Sequence, residues 1–381
     1  MITFGHLSLS VMSREIIVCI DIRDLRIAKT GTKTHQQELR REFSKGHPGF
    51  RFHFIDTWLP VYTGTNKLLK IIEHIRFFGW KQVSLPIICL FKNCDILFCA
   101  DYFLPVFRPG FKTAVIFHDA FFWEYPEHYN RAWLFLLKTI GMYAARKADA
   151  IITTTRYARQ QIIKFVGLNP EKIYAIPVSC KSIITKPAER KIDRDGKKYI
   201  LHIGVLEKRK NLVNLVKAFH LLLEDGVKDY YLVLAGPAPG KTLLDDSDNI
   251  RNIVSELKLD AKVIMAGYIS DQELNYYYSN ATLYAFVSIN EGFGVPILES
   301  FHNDLPVLVA DNSSLPEVGG DAVITCDPFD PVDIKNKLKM IIESVPLQQE
   351  LITRGRIRKE IFNWPATVRE HLTVFTKIMN N

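Results

Sequence analysis

The residues best suited to chemistry lie at 290–299, with the sequence Asn-Glu-Gly-Phe-Gly-Val-Pro-Ile-Leu-Glu. This stretch leaves an apolar run at 282–287 and enters a segment of helical period, with Pro296 near its first turn. Gly292 and Gly294 let a ligand approach the backbone closely, and a helix start directs free N–H groups at an anion. The pattern predicts a site for a diphosphate group.

Two carboxylates, Glu291 and Glu299, belong to the same stretch. Glu291 lies in the loop, where it would contact a group being transferred, whereas Glu299 could accept both hydrogens of a vicinal diol such as a ribose. Another interpretation stays open, because the helix dipole alone favours acidic residues in the first turns of a helix. Gly-x-Gly turns before helices are also common, so the motif indicates a nucleotide site only together with its context.

A cluster of positive charge follows the first predicted strand of the same half of the chain. After the run 199–203 come a glycine turn at Gly204 and then three consecutive cations, Lys208, Arg209 and Lys210. A leaving nucleoside diphosphate gains negative charge, which fixed cations and helix N–H groups can stabilise without a metal ion. The alternative for such a run is a solvated basic turn.

Strands and helices must position these loops, and short apolar runs alternate with segments of helical period along the whole chain. The pattern predicts two doubly wound, parallel α/β domains in series, with a cleft between them. We expect domains at 1–185 and 199–362, a charged linker at 186–198, and a helix in 363–381 that packs back toward the first domain. The predicted strands are 16–22, 51–55, 95–98, 113–117, 150–153, 173–176, 199–203, 230–235, 262–266, 282–287, 306–310 and 322–325.

Composition limits the class of protein. With 381 residues and 48% apolar side chains, the chain can bury two cores, and its net charge of +8 suits a polyanionic ligand, an acidic membrane or nucleic acid. The six cysteines lack zinc-type spacing and are expected to be reduced core residues. The first residues are a poor signal peptide, and Met12 competes with Met1 as the start. Since no window is long and apolar enough for a membrane helix, we expect a cytoplasmic protein, at most peripheral on a membrane.

Further segments of the chain stand in a fixed order around these motifs. They are Thr-Gly-Thr at 30–32, Phe-His-Asp at 117–119, 148–152, 172–177, 204–211, Tyr268, 306–307, 313–317 and 362–364. Together with 290–299 they resemble glycosyltransferase family 4, and the resemblance covers essentially the whole chain. It implies the two-domain GT-B fold, with two Rossmann-like domains facing across a cleft.

The resemblance also implies roles for the donor-side residues. Lys210 would hold the diphosphate of the donor, Glu291 the hydroxyls of its sugar, and Glu299 its ribose. Val205 stands where many members have an arginine, so Arg209 would supply that contact. The remaining donor-side residues would be Gly204 in the first turn, Gly267 and Tyr268 beside the base, and the backbone N–H groups of Gly292, Phe293, Gly294 and Val295.

On the acceptor side, the resemblance implies that His118 meets the transferred sugar, with Asp119 beside it, and that Gly31 and Thr32 line the cleft opposite the phosphates. The implied reaction moves a hexose-type sugar from a nucleotide diphosphate sugar to a hydroxyl of a glycan or lipid-linked acceptor, as in cell-surface polysaccharide or glycolipid synthesis. The anomeric configuration would be retained by a same-face mechanism in which the departing phosphate helps to deprotonate the acceptor. We expect no metal, no cofactor besides the donor substrate, and no nucleic-acid partner.

Two other classes of protein stay open. The stretch 236–242 ends like the phosphate-binding loop of a nucleotide hydrolase, but it is one residue short, and Pro237 and Pro239 remove two N–H donors. The second class is a catalytically silent sugar-binding protein of the same fold. Such a protein is expected to have lost its charged cleft residues, which this sequence keeps.

The segment 66–82 has the period of a basic amphipathic helix, with apolar residues beside lysines and an arginine. In one interpretation its apolar face belongs to the domain core. In the other it is an interfacial helix that brings the enzyme to an anionic membrane surface carrying the acceptor.

Overall fold

The computed structural model describes residues 14–28, 30–181, 198–240 and 242–381. The predicted linker at 186–198 lies outside the described residues except for Lys198, and so do both candidate start residues. Within the described part of the chain, twelve strands form two parallel six-stranded sheets, one from each half of the chain. This is the α/β architecture that the alternating pattern predicts, and each of the twelve predicted strands overlaps an observed one.

The strands of the first sheet are β1 (Ile16–Asp21), β2 (Phe50–Ile55), β3 (Ile96–Cys99), β4 (Lys112–Ile116), β5 (Ala150–Thr153) and β6 (Ile173–Ala175). Their order across the sheet is β2-β1-β3-β4-β5-β6. The central strand β3 is buried along its whole length, because helices cover both faces of a parallel sheet. The loops at its carboxyl edge are therefore the ones free to contact a ligand.

The strands of the second sheet are β7 (Lys198–Ile203), β8 (Tyr230–Ala235), β9 (Val263–Gly267), β10 (Leu283–Phe286), β11 (Val307–Ala310) and β12 (Ile324–Cys326). Their order is β12-β11-β10-β7-β8-β9. From β7 the chain adds β8 and β9 on one side, and it then returns to add β10, β11 and β12 on the other side. The strand order therefore reverses between β7 and β10, which lie side by side. Such a switch point is where open α/β sheets bind ligands, and the two charged loops follow these two strands.

Helices cover both sheets. In the first half they are α1 (Thr30–Phe43), α2 (Lys67–Gly79), α3 (Leu85–Phe91), α4 (Phe121–Glu124), α5 (Arg131–Leu136), α6 (Met142–Arg146) and α7 (Arg156–Gln161). In the second half they are α8 (Leu212–Glu224), α9 (Ser247–Glu256), α10 (Asp271–Asn280), α11 (Val295–His302), α12 (Leu315–Gly319), α13 (Pro331–Glu343), α14 (Val345–Lys359) and α15 (Trp364–Asn380).

The last helix, α15, contacts the first half of the chain. The ring of Phe375 lies 6.3 Å from that of Phe43 and 5.5 Å from that of Phe98, measured between centroids. At the start of the helix, the Trp364 indole N–H donates to the carbonyl of Cys180 at 2.8 Å. The carboxyl-terminal helix thus shares a core with the first sheet, and buried aromatic contacts of this kind stabilise the pairing of the two halves.

The amphipathic segment forms α2, and none of the residues of that helix is buried. The apolar face of α2 is divided, because Phe77 and Phe78 are half-buried and pack on the buried Phe103. The remaining apolar side chains of the predicted face are exposed, namely Leu68, Leu69, Ile72 and Ile75. Burial begins only in the following turn, where Trp80 is 8% exposed and Lys81 is 1% exposed. Among the described residues, no helix combines the length and the apolar character needed to cross a membrane.

Candidate active site

The cationic turn after β7 meets the loop after β10 through Glu291. The ammonium of Lys210 donates to Glu291 Oε1 at 2.6 Å, and Arg209 Nη1 lies 2.7 Å from Oε2 of the same carboxylate. Lys208, the first of the three cations, is exposed and stands apart. One carboxylate therefore holds two of the three predicted cations side by side at the switch point of the second sheet.

Burial and charge act in opposite directions on this cluster. Burial alone would raise the pKa of Glu291, but Arg209 and Lys210 outweigh it and lower that pKa to about 2. Burial and the neighbouring Arg209 lower the pKa of Lys210, and Glu291 opposes them. Glu291 is thus ionised at neutral pH, and its carboxylate compensates the two cations while the site is without a ligand.

Two glycines shape the loop between Glu291 and α11. A Cβ atom on Gly292 would lie 2.9 Å from the carbonyl oxygen of His118, so the two halves of the chain meet backbone to backbone at this point. Gly294 has φ of +105° and would place a Cβ 2.8 Å from the side chain of Leu315. Only glycine fits either position without a shift of its surroundings.

The same loop is held from below by Ser314. Its hydroxyl lies 2.8 Å from the carbonyl oxygens of both Glu291 and Phe293. The helix α11 then begins at Val295, with Pro296 in its first turn. Pro296 has no N–H, and the N–H of Ile297 donates to the carbonyl of Gly294 at 3.0 Å. The donors that this turn can offer to an anion are therefore the N–H of Val295 and those of the preceding glycine loop.

Glu299 lies one turn further along α11 and is 8% exposed. The hydroxyl of Tyr278 donates to its Oε2 at 2.7 Å, and burial raises the pKa of Glu299 despite this bond. Tyr268, which follows β9 directly, is 80% exposed. A carboxylate anchored through one oxygen and an exposed ring at the edge of the sheet are compatible with the predicted contacts to ribose and base, which stay predictions.

Two polar residues face the glycine loop from the carboxyl end of β4. Burial lowers the pKa of His118 to about 4, so its imidazole is neutral at pH 7, and no described residue hydrogen-bonds to its buried Nε2. Asp119 accepts a hydrogen bond from the Tyr102 hydroxyl at 3.1 Å, and burial raises its pKa to about 6. A neutral ring nitrogen without a partner among the described residues is suited to hydrogen-bonding a sugar hydroxyl.

Gly31 and Thr32 lie in the first turn of α1, where both are exposed. One turn later, the ring of His35 packs edge to face on that of His118, with 5.4 Å between centroids. The structure therefore places the start of α1 on the His118 side of the interface. Contact of Gly31 and Thr32 with a ligand stays a prediction.

The site predicted from the sequence does not include several hydrogen bonds that join the two halves of the chain next to the glycine loop. The hydroxyls of Thr154 and Thr155, which follow β5, donate to the carbonyl of Gly292 at 3.0 and 2.9 Å. The carboxylate of Glu317 accepts the first two N–H groups of α7 at 2.8 and 2.9 Å. The partners in these contacts are 137 to 161 residues apart in the chain, so no local motif predicts them.

Two family models match the amino-acid sequence of this chain. The model for Glycosyltransferase Family 4 matches residues 37–178, and the model for Glycosyl transferases group 1 matches residues 185–358. The chain is a family 4 glycosyltransferase. One match falls in each half of the sequence, so the family assignment extends over both halves of the chain.

Known proteins similar to this glycosyltransferase agree with the assignment. O-antigen chain mannosyltransferase B of Escherichia coli is 27% identical over 271 residues, which cover 69% of this chain and 70% of the relative. Sucrose-phosphate synthase from Thermosynechococcus elongatus superposes with a TM-score of 0.73 at 17% identity, covering 96% of this chain and all of the other. Anabaena Alr3699/HepE in complex with UDP gives a TM-score of 0.70 at 13% identity, covering 95% and 100%. The fold is GT-B.

The stretch that resembles a phosphate-binding loop has a different structure in this glycosyltransferase. Lys241 lies outside the described residues, but the N–H of Gly236 donates to the carbonyl of Gly267 at 2.7 Å. The next helix, α9, begins only at Ser247. A phosphate loop needs free N–H groups that lead directly into a helix, so this stretch lacks the geometry of a nucleotide hydrolase.

The six cysteines of the glycosyltransferase are free and buried, as expected. The fold nonetheless brings the sulfurs of Cys19, Cys89 and Cys94 within 4.8 Å of one another, which their spacing did not predict. A second group of possible metal ligands consists of Asp21, Cys99 and Asp101. The first group lies on β1, α3 and the turn before β3, and the second lies on β1, β3 and the loop after β3, so neither belongs to the cluster around Glu291.

Proposed function

We propose that this glycosyltransferase moves a hexosyl residue from a nucleoside diphosphate sugar to a hydroxyl of a glycan acceptor, with retention of configuration and without a metal ion. The observation that carries the proposal is the cluster of Arg209, Lys210 and Glu291, which precedes the glycine loop that meets the backbone of His118 in the other half of the chain. The UDP bound by the Anabaena neighbour supports a nucleotide ligand for this fold.

The likeness to O-antigen chain mannosyltransferase B favours a role in the synthesis of a surface polysaccharide and makes mannose the first sugar to test. In the proposed reaction, Arg209, Lys210 and the N–H groups of α11 stabilise the charge that develops on the leaving diphosphate. When the donor binds, the carboxylate of Glu291 gives up its ion pairs and accepts hydrogen bonds from hydroxyls of the sugar. The neutral imidazole of His118 hydrogen-bonds to a further hydroxyl. The departing phosphate takes the acceptor proton on the face that it leaves.

We expect transfer from a nucleoside diphosphate sugar to proceed in excess EDTA after dialysis, because the cations and N–H groups already compensate the diphosphate. A thermal-shift panel of GDP and UDP sugars identifies the donor, since a ligand of the native state raises its melting temperature. Transfer to neutral mannosides is then followed by NMR, and an α-linked product from an α-linked donor indicates retention.

Four outcomes would count against the proposal. A β-linked product contradicts retention, and activity restored only by manganese or magnesium contradicts a metal-free site. Cleavage of ATP or GTP without sugar transfer favours the nucleotide hydrolase, whereas donor binding without transfer or hydrolysis favours the silent binding protein.

A second part of the proposal concerns location at an anionic membrane surface. The outward face of α2 consists of exposed apolar side chains: Leu68 is 69% exposed, Ile71 58%, Ile72 45% and Ile75 67%. Exposed Lys67 and Lys70 lie at its edge. Apolar residues beside cations on one helix are suited to the headgroup region of an anionic bilayer, where lipid-linked acceptors lie.

We expect the protein to float with vesicles of phosphatidylcholine and phosphatidylglycerol, and less with phosphatidylcholine alone, because the lysines favour an anionic surface. The double substitution Ile72→Asp and Ile75→Asp should abolish flotation. Ile357→Asp, at a residue that is 69% exposed on α14, is the matched control and should have no effect. Flotation of the double variant would contradict membrane docking by α2. So would concentration-dependent dimers of the wild-type protein that the double variant does not form.

A further inference from the structure

Three cysteine sulfurs meet between the first sheet and α3. Cys19 belongs to β1, Cys89 belongs to α3, and Cys94 lies in the turn that connects α3 to β3. Their Sγ atoms lie within 4.8 Å of one another, and the three residues are 0%, 0% and 6% exposed. All three thiols are free. A buried cluster of free thiols is the donor set that thiophilic metal ions use in proteins.

The end of α3 holds two of the three sulfurs together. The N–H of Cys94 donates to the carbonyl of Cys89 at 2.9 Å, and the N–H of Asn93 donates to the carbonyl of Leu90 at 3.1 Å. Asn93 has a φ of +49°. This is the common helix end in which a left-handed residue turns the chain back over the last helical turn. The position of Cys94 against Cys89 is therefore fixed by the backbone.

The register of β1 and β2 adds a nitrogen donor to the same face of the sheet. Cys19 is paired with His53 of β2, and paired residues of neighbouring strands direct their side chains to the same side. Ile55, which shares that side of β2, packs in one core cluster with Cys19 and Cys89, so this side faces α3. His53 is half-buried on the edge strand and interacts electrostatically with Cys19. Three sulfurs and one imidazole make a set of four donors.

Zinc suits this set in size and in charge. In a tetrahedral site with Zn–S bonds of about 2.3 Å, the sulfurs are about 3.8 Å apart, so the cluster has to contract by about 1 Å, which small side-chain rotations allow. Lys92 at the end of α3 also interacts electrostatically with Cys19, and its charge offsets the negative charge that three thiolates leave around a divalent ion. Magnesium and manganese prefer oxygen donors and do not suit the set.

The second group of metal-type residues differs because it already holds a cation. The ammonium of Lys81 lies 2.7 Å from Asp21 Oδ2 and also pairs with Asp101, next to Cys99. A metal ion there would have to displace a buried lysine whose charge the two carboxylates compensate. The three-cysteine cluster is therefore the better candidate for a metal ion.

We propose that Cys19, Cys89, Cys94 and His53 bind one Zn²⁺ ion, which fastens α3 to β1 and β2. The cysteines bind zinc as thiolates, so entry of the ion releases their three thiol protons to solvent. Four protein ligands leave no open position, which makes the site structural. Cys94 lies just before β3, at the amino edge of the sheet, whereas His118 follows β4 at the carboxyl edge. The zinc site is thus separate from the proposed metal-free transfer and does not depend on it.

Cobalt titration of the reduced, EDTA-dialysed protein tests the site, because Co²⁺ bound to thiolates absorbs strongly in the near ultraviolet. We expect one equivalent to bind and Zn²⁺ to displace it, whereas Mg²⁺ should not. Cys89→Ala and Cys94→Ser should each weaken binding about 100-fold or more, since each removes one of four ligands. His53→Ala should keep the near-ultraviolet band and change the visible spectrum. Cys326→Ala, at a buried free cysteine of the second sheet, is the matched control and should bind like wild type.

Thermal melting gives a second readout. Zinc should raise the melting temperature of the wild type and of Cys326→Ala but not that of Cys94→Ser, because only a ligand of the native state stabilises it. Circular dichroism verifies the folding of each variant. His53→Ala keeps the proposal testable if the cysteine variants do not fold, since His53 is only half-buried.

Several results would overturn the site. They are no thiolate–cobalt band in the reduced wild type, an unchanged band in folded Cys94→Ser, and equal affinity for Mg²⁺. A disulfide between Cys89 and Cys94 in protein purified without reductant, together with a lack of cobalt binding, would assign the thiols to redox chemistry instead. Well below the melting temperature, Cys94→Ser should transfer sugar at the wild-type rate, and a loss of transfer would contradict a structural role. Absence of transfer in the wild type would instead contradict the proposed function.

Discussion

Lys210→Ala is expected to lower the turnover of sugar transfer about 100-fold or more, because fixed charge aimed at a developing diphosphate contributes most in the transition state. Lys210 is 7% exposed and donates to Glu291 at 2.6 Å, so its ammonium is already positioned before the donor binds. The variant keeps the ion pair of Arg209 with Glu291, which limits the structural damage. Initial rates at saturating donor, with circular dichroism to verify folding, measure the effect.

Lys208→Ala is the matched control for that experiment. Lys208 belongs to the same turn but is exposed, so its loss should leave turnover within about twofold of wild type. The turnover of Arg209→Ala should lie between those of Lys210→Ala and Lys208→Ala, because the guanidinium of Arg209 is shared between Glu207 and Glu291. Turnover near the wild-type value in folded Lys210→Ala would remove Lys210 from the proposed mechanism.

The fold could be predicted from the sequence because its strongest signal is local. Buried parallel strands read as short continuous apolar runs, and the runs at 96–99 and 283–286 are buried from end to end. The helix α2 could not be assigned in the same way. Its apolar period is equally clear, but periodicity does not tell whether an apolar side chain meets protein, as that of Phe77 does, or is exposed, as those of Ile72 and Ile75 are.

The site was predictable only as far as each motif is continuous in sequence. The motif at 290–299 and the turn at 208–210 could be assigned separately, but their union through Glu291 depends on β7 and β10 lying side by side. The same limit hid the contacts of Thr154 and Thr155 with Gly292, whose loops belong to different sheets. In each case the partners lie in different loops, and only the folded arrangement of the strands brings them together.

The second large effect is expected from substitution of Glu291. The direction of the change in nucleotide affinity distinguishes the proposed role of Glu291 from that of Glu299. The carboxylate of Glu291 pairs with both Arg209 and Lys210, so Glu291→Gln releases Lys210 and one side of the Arg209 guanidinium, which stays paired with Glu207, for the phosphates of a nucleotide. Its affinity for GDP or UDP should therefore equal or exceed that of wild type, whereas transfer falls about 100-fold or more because the sugar hydroxyls lose an ionised acceptor. Calorimetry with the free nucleotides, beside initial rates, measures both quantities.

Glu299→Gln is the matched variant with the opposite expectation. The amide oxygen can still accept the hydrogen bond from Tyr278, which is 2.7 Å from Glu299 Oε2, so packing is conserved while the charge facing the ribose is lost. Nucleotide affinity should fall about 10-fold, as for the loss of one charged hydrogen bond, and transfer should fall with it. Stabilisation of α11 by its dipole cannot produce opposite changes in nucleotide affinity at two carboxylates of one motif. Equal losses of nucleotide affinity in both variants, or a loss of thermal stability without any change in binding, would assign the two glutamates to the fold instead of the donor.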